Sequence, residues 1–233
     1  MTVHSARVLI VGMGGLGCPA SLALARAGAE RLTVIDPDAV ELTNLHRQPW
    51  FRTSDIGKPK AMVAAARLRG AFPRLEVQPR VGRVDFNNVQ TLVKDHDIAL
   101  DCTDEIEAKF LLSDAVAPSR VPVIYGGVVR FEGQVMALLP GGPCLRCFFE
   151  QPPAAEDVPS CSRAGILGSV AGVIGALQAV TAVRVLNGEQ MAGEMVVFDG
   201  RTLRQRQIGV RRRPDCLCTR AKSSSTEVRT CPA

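Results

Sequence analysis

Residues Arg7-Val8-Leu9-Ile10-Val11-Gly12-Met13-Gly14-Gly15-Leu16-Gly17 decide the fold. The aliphatic run 7–11 has no polar alternation, which predicts a strand covered on both faces. It ends in a glycine-rich turn, after which 18–27 reads as a helix and 32–35 as the next strand, closed by Asp36. Strand, glycine turn, helix, strand is the repeating unit of a parallel sheet. Further units follow, with helix at 60–68, strand at 75–79, a helical turn at 89–93, strand at 98–101, helix at 109–117 and strand at 121–125. The alternation predicts a doubly wound, mainly parallel, Rossmann-like α/β fold.

After Gly126-Gly127 the alternation stops, and 134–139, 195–198 and 203–208 read as strands without intervening helices, an antiparallel extension of the sheet. The Pro-, Ala- and acid-rich stretch 151–162 reads as a mobile surface loop. Residues 220–233 are polar and are expected to be a disordered tail, leaving 1–219 as one domain. At 233 residues the chain is long enough for that. Residues 164–186 approach the length of a membrane span. They carry four internal glycines (Gly165, Gly168, Gly172, Gly175), Gln178 and Thr181 between Arg163 and Arg184, and read instead as a buried core helix.

Hydrophobic residues at 46% and charged residues at 22% are globular values and exclude a mainly disordered or fibrous chain. The net charge of +5 is local, six arginines falling between 201 and 213, and with aromatics at only 4% it argues against nucleic acid as the partner. No secretory signal can be laid out over the first residues, so the eight cysteines are expected reduced, in the cytoplasm.

Gly12-x-Gly14-x-x-Gly17 between a strand and a helix, with Asp36 about 20 residues on, points to a nucleotide: turn amides and a helix N-terminus face phosphates, and the carboxylate faces ribose hydroxyls. Beyond it lie Asp38, Asn44, Arg47, Gln48, Lys60 and Asp104. Strand ends on one edge of such a sheet share a crevice, so Arg47 and Lys60 can clamp a triphosphate and Asp104 can hold Mg2+. Cys144/Cys147 and Cys216/Cys218 are two close pairs, as for a four-thiolate zinc site. Cys161 stands in the loop before the long helix beside Arg163, where a thiolate is favoured. Cys18 and Cys102, in aliphatic surroundings, read as inert core residues.

From about residue 7 to 218 the chain resembles the ThiF/MoeB/HesA adenylyltransferases, relatives of the ubiquitin-activating enzymes. The likeness rests on GMGGLGCPAS (12–21), DPDAVELTNLHRQ (36–48), GKPK (57–60), DCTD (101–104), RFEGQ (130–134) and Cys161 with AGILGSVAGVIGALQA (164–179). It implies adenylation by ATP and Mg2+ of the C-terminal glycine of a ubiquitin-like sulfur-carrier protein ending in Gly-Gly, followed by attack of sulfur to give a thiocarboxylate. Gly15 and Asp36 would contact the nucleotide, Asn44 and Arg47 the phosphates, Lys60 the triphosphate and Asp104 the Mg2+. Cys161 would act as nucleophile or sulfur relay, the sulfur coming from a separate persulfide donor, and the enzyme would be a homodimer.

Two departures from the family stand out. Its cysteine pairs are usually both CxxC, whereas Cys216-Leu217-Cys218 is one residue shorter. Its members usually carry an N-terminal RYxRQ-like segment whose arginine enters the partner subunit's ATP site; here Arg7 belongs to the first strand and does not fill that position, so activity is expected to be weak, absent, or rescued by another arginine or by one from a partner chain. Three other functions fit parts of the pattern: a non-catalytic carrier-binding subunit, a nicotinamide-dependent oxidoreductase, and a tRNA-base dehydratase or cyclase of the same family. The oxidoreductase leaves Arg47, Lys60 and both cysteine pairs unused, and the tRNA branch has no need of Cys161 or the four-cysteine set.

Overall fold

The computed structural model describes residues 2–149, 151, 152 and 165–220. Cys161 and the 221–233 tail lie outside the described residues, as does most of the 151–162 loop. The centre is an eight-stranded sheet in the order β3-β2-β1-β4-β5-β6-β7-β8. Its first five members, β1 (Arg7–Val11), β2 (Arg31–Asp36), β3 (Glu76–Val81), β4 (Ile98–Asp101) and β5 (Val123–Val129), pair in parallel. The antiparallel extension comprises β6 (Glu132–Leu138), β7 (Glu194–Asp199) and β8 (Arg204–Gly209).

Alternate side chains of β1 enter opposite layers of core. Val8 and Ile10 pack under α1 (Gly17–Arg26), α2 (Lys60–Ala71) and a long helix, Gly168–Leu186, while Leu9 and Val11 face α3 (Val89–Lys94) and α4 (Ile106–Ser119). Both faces are therefore dry, which is why β1 lacks polar alternation. In chain order the remaining helices are α5 (Leu145–Phe148), α6 (Gly168–Leu186) and α7 (Leu217–Arg220). Helix α6 is long and apolar enough to cross a membrane, yet half of it is buried in the molecule. At Gly175 it approaches α1 so closely that a Cβ would lie 2.3 Å from the Leu16 carbonyl oxygen.

β5 runs beyond its expected end at 125, and β3 holds a proline that a central strand would not, each for an identifiable reason. β5 runs through Gly126 and Gly127, because Gln178 of α6 occupies the space a Cβ at 126 would need and donates to the carbonyl of Ile124 at 3.1 Å. β3 includes Pro79, opposite Val34, which is tolerated because β3 is an edge strand. The other edge, β8, is exposed along its whole length and carries Arg204 and Arg206, charges that discourage edge-to-edge pairing.

Strand order reverses between β1 and β4. In an open α/β sheet the crevice beyond the carboxyl ends at this switch point is where ligands bind. Gly12 follows β1 there and Cys102 follows β4.

Candidate active site

The turn after β1 exists because its glycines have no side chains. Gly12 adopts φ +94°, and a Cβ there would stand 2.6 Å from the carbonyl oxygen of Cys102. A Cβ at Gly17 would stand 1.9 Å from the Gly12 oxygen. The turn is clasped from its second side by Asp36, 4% exposed at the end of β2. One oxygen accepts from the Met13 amide at 2.6 Å and the other from the Asp38 amide at 2.8 Å. Burial pushes the Asp36 carboxyl up, an effect these amides and Lys60 oppose.

Two cations are anchored to the same turn. Lys60 opens α2, its amide donating to the Asp38 carbonyl at 2.9 Å and its ammonium meeting Asp38 Oδ2 at 2.8 Å. The Lys60 side chain is 7% exposed and that of Asp38 58%, so the lysine is fixed and its partner faces the open side. Arg47 lays its aliphatic stem over Gly15, where a Cβ would be 3.6 Å from Cγ and Cδ. Its guanidinium donates to Asn44 Oδ1 at 2.7 Å and to the Thr43 carbonyl at 3.2 Å. Between Arg47, Gly15, Leu45, Pro19 and the first turn of α6 lies a concavity of about 250 Å3.

Gln48 is buried beside Gly14, and its Oε1 has no hydrogen-bond partner among the described residues. A buried acceptor without a donor is costly. Ribose hydroxyls and the adenine amino group are donors that satisfy it, so the donor and acceptor set around the turn fits a nucleotide.

Beyond β4, the carboxylates differ sharply in what they touch. Asp101, 1% exposed, accepts from the Thr103 amide at 3.1 Å and the Thr103 hydroxyl at 2.7 Å, and pairs with Lys109 at 3.2 Å. Burial alone would discharge Lys109; the facing Asp101 outweighs it and holds the ammonium charged. Glu105 is ion-paired with Arg83. Asp104, exposed between them, has no polar partner among the described residues. A free carboxylate on a loop whose neighbouring carboxylates are both neutralised fits a divalent cation carried by phosphates.

Lys109 and Gln178 were not anticipated from sequence. Gln178 donates to the carbonyls of Asp101 and Ile124, at 2.7 and 3.1 Å, pinning α6 to the last residue of β4 and the second residue of β5. Signals for both existed: an aspartate inside an aliphatic strand needs a buried cation, and a lone amide in an apolar helix needs buried backbone partners.

The four paired cysteines converge: their sulfurs lie within 4.8 Å of one another, with Cys144–Cys216 at 3.4 Å, Cys147–Cys218 at 3.6 Å and Cys144–Cys147 at 3.9 Å. Tetrahedral thiolates around Zn2+ stand about 3.8 Å apart, so this donor set fits zinc. The short Cys216-x-Cys218 spacing is accommodated by a tight turn. In it the Thr219 hydroxyl donates to the Arg213 carbonyl at 2.8 Å, and Arg212 donates to the Cys218 carbonyl at 3.1 Å. Cys18 and Cys102 are buried, and burial pushes the Cys18 thiol up to about 12 and the Cys102 thiol up likewise, as suits inert core residues. Arg7 pairs with Asp97 at 3.1 Å at the start of β1, the end of the strand opposite the glycine turn.

Comparison with known proteins agrees with this geometry. Residues 2–219 match the ThiF family. The SAMP-activating enzyme E1 of Haloferax volcanii is 39% identical over 214 residues, 91% of this chain and 79% of that protein. The sulfur carrier protein adenylyltransferase of Thermus thermophilus is 37% identical over 219 residues, 91% of this chain and 81% of that protein. The adenylyltransferase and sulfurtransferase MOCS3 of Anopheles gambiae is 38% identical over 226 residues, and the chain spans 51% of its length. Among solved structures, E. coli MccB with ATP has a TM-score of 0.81 at 21% identity over 93% of this chain and 68% of MccB, a likeness of fold.

Proposed function

Because this chain belongs to the ThiF family, we propose that it adenylates the C-terminal glycine of a ubiquitin-like sulfur-carrier protein, using ATP and Mg2+. The observation that carries the proposal is the anchoring of both cations to one turn: Arg47 rests on Gly15, and Lys60 is tied through Asp38 to the Asp36 that holds Met13.

The chemistry asks little beyond positioning and charge. A carboxylate ionised at neutral pH needs no general base to attack the α-phosphorus, and the barrier lies in alignment and in the charge that develops on departing pyrophosphate. The turn amides and the start of α1 orient the phosphates. Asp36 keeps acceptor capacity toward the ribose, and Gln48 Oε1 accepts a nucleotide donor. Arg47, fixed by Asn44, and Lys60, held by Asp38, stabilise the leaving group; Lys60 exchanges an exposed carboxylate for phosphate oxygens. Asp104 would hold Mg2+, which supplies charge neutralisation across the phosphates.

In the same proposal Cys161 relays sulfur after adenylation, a separate persulfide protein donates it, Zn2+ bound by Cys144, Cys147, Cys216 and Cys218 is structural, and the enzyme works as a homodimer. Incubation with ATP, Mg2+ and a carrier ending in Gly-Gly, followed by mass spectrometry of the intact carrier, tests the first step. An AMP adduct on the carrier C-terminus is expected; an unmodified carrier in every case, with nucleotide bound, would overturn it.

A further inference from the structure

We propose that Lys109 is a positioning residue for the metal-bearing loop, acting through Asp101 to fix the stance of Asp104. The inference rests on the assignment of Asp104 to Mg2+ made above.

The loop between β4 and α4 is four residues long, 102–105, and its two ends are joined from beneath by the Asp101–Lys109 pair. Lys109 sits in the first turn of α4, where its amide makes a 3.1 Å bond to the Glu105 carbonyl. Its ammonium reaches back to Asp101 Oδ2 at 3.2 Å and Oδ1 at 3.4 Å, and across to the Gly126 carbonyl of β5 at 2.5 Å. The Tyr125 ring lies 5.1 Å away. The two Asp101 oxygens subtend so small an angle at the ammonium that they share one of its three protons, and the Gly126 carbonyl takes a second. With its side chain only 13% exposed and these partners in place, Lys109 acts through what it holds.

What it holds is the loop. Asp101 Oδ1, besides meeting Lys109, accepts both the amide and the hydroxyl of Thr103, the residue before Asp104. Thr103 N also lies against Gly12, 3.1 Å from where a Cβ there would stand, so the loop and the glycine turn share one packing contact. Lys109 thus neutralises a carboxylate that would otherwise compete with Asp104 for a cation, and fixes the Thr103 backbone from which Asp104 projects. Positioning shells of this kind are worth about 10–100-fold in metal affinity.

The test separates this role from a merely structural ion pair. Lys109→Met leaves a buried, uncompensated carboxylate, so the informative variant is Asp101→Leu with Lys109→Met, which removes both charges together with the acceptor that holds Thr103. Calorimetric binding of a non-hydrolysable ATP analogue is measured in chelator and in saturating Mg2+, alongside thermal unfolding. The double variant should unfold near the parent temperature and keep its metal-free affinity, while the strengthening by Mg2+ falls about tenfold or more. Lys109→Arg keeps the charge but cannot reproduce the three-point contact, and its Mg2+ response should fall between the two. A parental Mg2+ response in either folded variant overturns the proposal. Asp104→Ala is the internal control: if that variant itself retains the parental response, the assignment of Asp104 has failed rather than the role of Lys109.

Discussion

Asp36 Oδ2 accepts a 2.6 Å hydrogen bond from the backbone amide of Met13, so the carboxylate expected to face ribose also locks the glycine turn in shape. Asp36→Ala removes the acceptor of two amides, the buried one of Met13 and the part-buried one of Asp38. It should cost about 1–3 kcal/mol of stability in denaturant unfolding. Affinity for ATP should fall with it, and a variant with parental stability would show that the turn holds itself.

Lys60 is expected to matter in the transition state more than in the ground state. Lys60→Ala should lower kcat of carrier-dependent adenylation by roughly 10²–10³ with a smaller change in KM for ATP. A raised KM with unchanged kcat would make Lys60 a binding residue only. Asp38→Asn, which frees the ammonium of its 2.8 Å partner, should leave kcat far closer to the parent value.

The four-cysteine cluster predicts about one zinc per chain. Metal analysis of purified protein checks the content, and chelation or Cys147→Ser should lower the unfolding temperature. Metal-free protein that unfolds at the parental temperature would remove zinc from the account.

Much of the fold was legible because hydrophobic period and glycine placement are local signals. The 7–11 run, the turn at Gly12 to Gly17 and Asp36 each carry their meaning within a short window. The state of each carboxylate was not legible, because it depends on partners far along the chain. Asp104 and Glu105 look alike in sequence, yet Arg83 neutralises one and leaves the other open. Lys109 was missed for the same reason: its role arises from a reach of eight residues to Asp101 and of seventeen to Gly126. The shortened cysteine pair was a local departure whose resolution, its convergence on Cys144 and Cys147, 72 and 71 residues earlier, is tertiary.

His96 sets a pH dependence of stability. It is buried, its Nδ1 meeting the Leu92 carbonyl at 2.6 Å and its Nε2 the Thr33 hydroxyl at 2.8 Å. Burial holds its pKa below the ordinary imidazole value, so the folded state prefers the neutral ring. The unfolded chain therefore binds the proton first as pH falls through ~6.5, and the stability contributed by the neutral ring, present above that pH, is lost below it. The slope should approach at most about 1.4 kcal/mol per pH unit between the unfolded and folded pKa values, and His96→Gln should flatten it. Unfolding free energies of the two proteins measured from pH 7.5 to 5 check this; parallel curves would contradict it.

The most direct test of the central claim is ATP–pyrophosphate exchange with purified protein, Mg2+ and a panel of ubiquitin-like carriers ending in Gly-Gly. Exchange is expected to require both Mg2+ and a carrier, to appear with a particular carrier, and to disappear in Asp104→Ala. Tight ATP binding with no exchange for any carrier would contradict it and leave a nucleotide-binding module in place of an adenylyltransferase.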